Sequence, residues 1–470
     1  MVRTRFAPSP TGELHLGGAR TALFNYLLAK KKQGKFILRV EDTDLKRSNW
    51  QFACNQYEDL LWLGLKPDES PFGKEQTFNH RQSQRLEIYQ NYLKQLLTEK
   101  KAYYCFCSEK DLEQERKDYI EKNQRANYQY SRKCLKLDYQ IVQRLLQEKK
   151  KYLVRFQVNQ TTDYCINDLV RGTITFPGKD IEDFVLCRSN GMPLLNLVVT
   201  IDDYLMKISH VLRGEEHLTN TVKQLVLYQA FNWESPQFGH LSIIFNQAGK
   251  KLSKRDEGTS EYQTINKLRE KGYLPTAIIN YLLFLGWHPK TKQEFFSLKE
   301  ATEYFDLTGL NPRSPIFSVK KLNWFNKHYI QELTDEKYKE KAWKILEKYY
   351  CLSGKQKEYV EEISLLFRQQ INNFQELTSL TDYFFQYLSN SVEDEHEKIW
   401  EEFKEQIRKI SSWEEKTIKT FLEEFFLDKK KFLPLLRKKI TGKKTGPELV
   451  KIIRILGKEK VLQHLINNKH

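Results

Sequence analysis

The first forty residues alternate short apolar runs with a helical stripe. Residues 4–7 form a brief β-capable run, which Pro8, Pro10 and Gly12 interrupt. Leu23, Tyr26, Leu27 and Leu28 then recur on one face at helical spacing, which predicts a helix over 19–30. A second apolar run follows Gly34 at 36–40 and stops at Glu41-Asp42-Thr43-Asp44. Strand, helix and strand in that order predict a βαβ unit, and open sheets of such units take ligands beyond the carboxyl ends of their strands. The polar residues at 41–44 stand at one such end.

Amphipathic helical patterns run on to about residue 101. The texture then changes to a Tyr-, Lys- and Gln-rich stretch over 102–160 that holds Cys105, Cys107 and Cys134, and it reads as an insertion. Apolar runs at 184–187 and 194–201 predict a return of strands, and beyond residue 258 the periodicity is helical nearly to the end. The expected fold class is α/β: a parallel-sheet lobe interrupted by an insertion and followed by an α-helical half.

At 470 residues the chain is long enough for about three domains. With 40% hydrophobic and 29% charged residues it is neither disordered nor fibrous. Lys and Arg number 77 against 61 Asp and Glu, a net charge of +16, which favours a polyanionic partner such as RNA or nucleotide phosphate. The charge is uneven: residues 429–470 hold 13 basic and 2 acidic side chains, whereas 331–428 are net negative. Seven cysteines give no disulfide framework and fit a reducing compartment. The opening MVRTRFAPSP has no apolar core of a signal segment, and the longest apolar stretches fall short of the ~18 residues of a membrane span, so a cytoplasmic protein is expected.

The sharpest chemical signal is PSPTGELHLGG at 8–18, between a strand and a helix. Gly17 and Gly18 allow close backbone approach, the helix start offers N–H groups and a positive dipole end to phosphate, and His15 can donate to the same anion. Its counterpart lies about 240 residues downstream in GKKLSKRD at 249–256, where Lys251 and Lys254 bracket Ser253. Two ammonium groups and a hydroxyl there can neutralise charge developing on a triphosphate. Together the two segments resemble the paired signatures of class I aminoacyl-tRNA synthetases. TRFAPSPTGELHLGGARTALFNYLLA, ILRVEDTD, IDDYLMKISHVLRGEEHL and KKLSKRD, in that order and at matching separations, are similar to bacterial glutamyl-tRNA synthetase.

The resemblance implies a Rossmann-type catalytic domain in two halves, 1–104 and 189–260, with an acceptor-end-binding subdomain inserted at 105–188. A helical stem-contact domain at 261–330 and an α-helical anticodon-binding domain at 331–470 follow. It implies ATP-dependent attachment of L-glutamate to the 3′ end of tRNA(Glu), with Mg²⁺, by a monomer. Catalysis falls to His15, Lys251, Ser253 and Lys254, and ATP binding to His15, Gly17, Gly18, Glu216, Lys251 and Lys254. Glutamate binding falls to Arg5, Ala7, Ser9, Glu41, Leu195, Val199 and Arg213. Arg213 or Arg5 suits the side-chain carboxylate and Glu41 the α-ammonium. Leu195 replaces a tyrosine of the family's pattern and Val199 an amide, which removes contacts to the substrate but leaves the reaction class unchanged.

Cys105, Cys107, Tyr130 and Cys134 resemble the zinc-binding insertion of some members. Cys54, Cys165, Cys187 and Cys351 lack ligand spacing and are expected to be core thiols. Gln370 aligns where some members place an arginine that reads the last anticodon base, which implies that tRNA(Gln) is charged as well. Two other readings compete: a relative that glutamylates a modified tRNA base, and a catalytically retired RNA-binding protein. The extra helical third argues against the first, and the intact His15, Lys251, Ser253 and Lys254 against the second.

Overall fold

Strand β1 (Arg3–Phe6) opens the computed structural model, which describes residues 1–72, 79–123, 128–252, 260–386, 396–426 and 428–465. Helix α1 (Leu16–Lys31) and strand β2 (Lys35–Leu38) complete the expected βαβ unit, with β1 and β2 parallel and Arg3 opposite Lys35. The crossover is tight at Gly34, whose N–H donates to the Ala29 carbonyl at 2.8 Å; a Cβ there would lie 2.0 Å from the Val2 carbonyl oxygen. Only glycine fits that approach. Ala19, Ala22, Leu23, Phe24, Leu27 and Leu28 of α1 are buried, so the helix is a core element. Each buried Leu or Phe contributes about 1.5–3 kcal/mol of apolar burial.

The insertion supplies β3 (Ala102–Cys105), β4 (Leu153–Phe156) and β7 (Val185–Cys187), which form an antiparallel sheet in the order β3-β4-β7. Between β4 and β7, β5 (Tyr164–Asp168) and β6 (Gly172–Phe176) make a separate hairpin. The parallel sheet resumes with β8 (His210–Gly214) and β9 (Gln237–Leu241), giving the order β2-β1-β8-β9. The chain passes from β1 to β2 on one side and later returns to β8 on the other. The carboxyl ends of β1 and β8 therefore flank a topological switch point, where a crevice opens.

One expectation is corrected. Residues 194–201 do not form a strand; they lie mostly in a helix, Leu195–Leu205, whose residues 197–203 are all buried. A helix buried all round has no polar face, so its apolar run cannot be told from a buried strand by periodicity. The cysteine expectation is corrected as well. Cys187 is buried and Cys54 half-buried, but Cys165 and Cys351 are exposed. Cys165 takes an outward position in the alternating burial of β5, and Cys351 caps helix Asp335–Tyr350 in the left-handed region at φ 52°.

The chain forms two compact units. One comprises residues 1–267 and 278–319, the other residues 268–277 and 320–470. The second contains no strand among its described residues. Its helices are set by local signals: Thr334 caps Asp335–Tyr350, and Asp428 caps Lys429–Thr441, which ends at Gly442 in the left-handed conformation. No described helix of the chain is long and apolar enough to cross a membrane.

Candidate active site

Three strands of the parallel sheet, β1, β2 and β8, deliver residues to the same crevice from or just beyond their carboxyl ends. From β1 come Arg5 and, on the loop that follows, Ala7 and Ser9; from the end of β2 comes Glu41; from β8 come Arg213 and, just beyond it, Glu216. These line one cavity of ≈ 590 Å³ with His15, Gly17, Gly18, Leu195, Val199 and Lys251. All described residues expected to hold ATP or glutamate are thus brought together. Ser253 and Lys254 lie outside the described residues.

The two remote signatures are joined through the backbone. Leu16 N–H donates to the Gln263 carbonyl and Ile265 N–H to the Leu14 carbonyl, both at 2.9 Å, so His15 pairs with Thr264 as an antiparallel bridge. On the upstream side, Leu252 N–H donates to Ile244 at 2.9 Å and Phe245 pairs with Lys251. The chain around the Lys251 motif is therefore tied to the cleft before it and after it.

His15 is the N-cap of α1, and its Nδ1 accepts from Gly18 N–H at 3.0 Å. One of the helix-start donors is thereby taken by the imidazole. With Nδ1 accepting, the ring proton resides on Nε2, which makes His15 a donor through its outer edge. Gln56 steadies the glycine-rich loop by donating to the Gly12 carbonyl at 2.7 Å.

The carboxylates and guanidiniums below the cavity form a buried network. Arg39 is fully buried and binds Asp203 at 2.7 Å and Glu41 at 3.1 Å, while Arg5 Nε binds Asp203 at 3.2 Å. Burial raises the Glu41 carboxyl, and Arg39 and Arg5 oppose that rise. Arg5 therefore already has a carboxylate partner. Arg213 does not: it donates to Thr221 Oγ1 at 2.6 Å and Gln224 Oε1 at 2.8 Å, both neutral, and its Nε has no hydrogen-bond partner among the described residues. Burial first, then repulsion from Arg5, lowers Arg213 to about 9, so it stays charged at neutral pH. Of the two arginines left open by the sequence, Arg213 is the one whose charge is unspent.

Arg39, Asp203 and Arg20 were not among the expected site residues. Arg20, in α1, lines the cavity and donates to Ser242 and, at 2.8 Å, to Leu285, both through carbonyl oxygens. Their signal was present as charges inside apolar runs, Arg39 within FILRV and Asp203 within VVTIDDYL. A charge placed there is paired or functional.

In the insertion, the Sγ atoms of Cys105, Cys107 and Cys134 lie within 4.8 Å of one another. Tyr130 Oη is 3.5 Å from Cys105 and from Cys107, and it accepts from Cys134 N–H at 3.1 Å. Thiolates at ~2.3 Å from a tetrahedral zinc sit about 3.8 Å apart, close to the 3.4 Å between Cys107 and Cys134. Hydrogen bonding from Cys134, then from Tyr130 and Arg155, lowers Cys105, whereas burial raises Cys107 and the bond to Cys105, with burial, raises Cys134. Three sulfurs and a phenolic oxygen so close together make a donor set that fits a zinc ion. Gln370 is exposed in the turn that follows helix Lys357–Leu365.

Residues 1–324 match the family of class I tRNA synthetases (E and Q), catalytic domain, and residues 330–467 match an anticodon binding domain family. Glutamate–tRNA ligase of Geobacillus thermodenitrificans is 40% identical over 487 aligned positions, which cover 100% of this chain and 99% of the relative. That of Bacillus subtilis is 39% identical over 483 positions, with 99% of both chains covered. A crystal structure of a glutamate tRNA ligase from Elizabethkingia meningosepticum, in complex with its amino acid, matches at TM-score 0.85 and 32% identity, covering 99% of this chain and 98% of that one. With a switch-point cleft bounded by two distant signatures, and likeness running through catalytic and anticodon-binding regions alike, the chain belongs to the class I tRNA synthetases of the E and Q group.

Proposed function

We propose that the protein attaches L-glutamate to the 3′ end of tRNA(Glu) in two steps. The observation that carries this reading is the buried Arg213, charged and held among the described residues by the neutral Thr221 and Gln224, in the cavity that His15 and Lys251 also line. The glutamate side-chain carboxylate pairs with Arg213, and its α-ammonium faces Glu41. The α-carboxylate attacks the α-phosphorus of ATP, the bond to the bridging oxygen breaks, and pyrophosphate leaves. Mg²⁺ enters with the triphosphate as part of the substrate. His15 Nε2–H and the Lys251 and Lys254 ammonium groups neutralise the charge that develops on the phosphates, so the step needs positioning rather than a protein nucleophile. A ribose hydroxyl of the terminal adenosine then attacks the glutamyl carbonyl and releases AMP.

In this reading residues 1–104 and 189–260 are the catalytic halves, 105–188 receive the acceptor end, 261–330 contact the stem and 331–470 hold the anticodon. Cys105, Cys107, Tyr130 and Cys134 would hold Zn²⁺ as a structural staple of the insertion. The protein acts as a cytoplasmic monomer. ATP–pyrophosphate exchange with glutamate and tRNA present tests the proposal. Exchange is expected with glutamate, and Lys254→Ala is expected to reduce it by orders of magnitude while tRNA affinity is kept; equal loss of both would refute the role of Lys254.

We further propose that tRNA(Gln) is also a substrate, on the ground that Gln370, which is exposed and uncharged, aligns by the family resemblance where some members place an anticodon-reading arginine. Aminoacylation of both transcripts decides the point, and strict rejection of tRNA(Gln) ends the proposal.

A further inference from the structure

Arg213 is held from behind by a line of polar side chains drawn from three elements. Thr221, on helix Leu218–Ala230, accepts from Arg213 and lies 2.7 Å from His240 Nε2 on β9. His240 Nδ1 is 2.5 Å from Asp168 Oδ2 at the end of β5. Thr221 and His240 are 0% exposed and Asp168 is 6%. None of the three lines the cavity.

Proton accounting gives this line a direction. A carboxylate only accepts, and the other oxygen of Asp168 already receives the N–H groups of Val170 and Arg171 at 2.9 Å and of His240 at 3.2 Å. His240 Nδ1 must therefore carry the proton. Burial pushes the imidazole down, which leaves the ring neutral and Nε2 an acceptor. The single hydroxyl hydrogen of Thr221 goes to Nε2, since its other acceptor, the His217 carbonyl, is farther at 3.2 Å. The lone pairs of Thr221 are then left to accept, and Arg213 donates to one of them at 2.6 Å.

We infer that Asp168, His240 and Thr221 form a directional hydrogen-bond chain that positions Arg213 for the substrate's side-chain carboxylate. This rests on the glutamate reading above and adds to it three residues that touch no substrate. Their arrangement solves a conflict. A guanidinium is best fixed by a carboxylate, but a carboxylate bonded to it directly would neutralise it and compete with the ligand. An imidazole and a hydroxyl placed between them let the negative charge orient the arginine from a distance. Asp168, His240 and Thr221 are thus positioning residues, and the β5–β6 hairpin, through Asp168, supports the amino-acid pocket without lining it.

The test is exchange by the full chain with tRNA present, with glutamate and ATP varied separately. Thr221→Val is expected to raise the glutamate KM about tenfold or more, because it leaves a buried guanidinium N–H unpaired, and to leave the ATP KM within twofold. Thr221→Ser should restore the glutamate KM. His240→Gln should raise it too, and the double variant with Thr221→Val should be no worse than Thr221→Val alone, since both cut one chain. If Thr221→Val does not fold, Thr221→Ala serves in its place. An unmoved glutamate KM, equal rises for glutamate and ATP, or additive effects in the double variant would each overturn the chain. Absence of glutamate-dependent exchange in the unaltered protein would instead overturn the glutamate reading itself.

Discussion

His15 uses its two ring nitrogens for two purposes, and substitution can separate them. Nδ1 closes the start of α1 on Gly18, while the proton on Nε2 makes that edge a donor. Asparagine caps helices well, so His15→Asn should keep the thermal midpoint while lowering glutamate-dependent exchange by about 10²-fold, the scale of one lost donor to a developing oxyanion. His15→Ala should lose the same activity and about 1 kcal/mol of stability besides. Full activity in the asparagine variant would reduce His15 to a cap. At this scale the sequence is informative about residues that act on ligands and poor on those that hold them. His15, Gly17, Gly18 and Lys251 sit in short segments whose composition is chemically unusual. Arg39 and Asp203 meet only because two strands and a buried helix converge, and no spacing along the chain reports a contact of |i−j| = 164.

The βαβ opening was legible because Leu23, Tyr26, Leu27 and Leu28 recur at helical spacing and its turns carry Pro and Gly. The helix Leu195–Leu205 was not, because its residues 197–203 are buried without a break and show no polar face. The tight connection at Gly34 makes a prediction that belongs to the element rather than to any ligand. Gly34→Ala drives a methyl group to 2.0 Å from the Val2 carbonyl oxygen, which must push β1 away from β2. The loss should exceed the about 1–3 kcal/mol of ordinary overpacking and appear as a lower unfolding midpoint or an insoluble chain, whereas Gly191→Ala, with nothing within 4 Å, meets only backbone strain at φ +80°. The insertion carries a second prediction. Purified protein should hold one zinc per chain by elemental analysis, and Cys134→Ser should lose it and make 105–188 the first region opened to protease. Metal-free wild-type protein of equal protease resistance would exclude the site.

Taken whole, the molecule concentrates its positive charge at one end of its sequence, with 13 basic against 2 acidic residues over 429–470. Lys429, Lys430 and Lys438 in this stretch are exposed. If they meet tRNA phosphates, replacing all three by alanine should weaken tRNA binding and flatten the slope of log K against log salt by about 2–3, with the KM values of glutamate and ATP unchanged. An unchanged slope would make them a solvated surface. Composition announced a polyanionic partner, but charge alone could not say which lysines serve it.

The bridge between His15 and Thr264 has one more consequence, which concerns synthesis. A ribosome adding about 5–20 residues per second needs tens of seconds to travel from the histidine to its bonding partner. During that interval the nascent amino-terminal strand and helix wait with one edge uncovered. Translation that halts before residue 264 therefore yields a fragment that carries the glycine-rich loop without the segment that bridges His15.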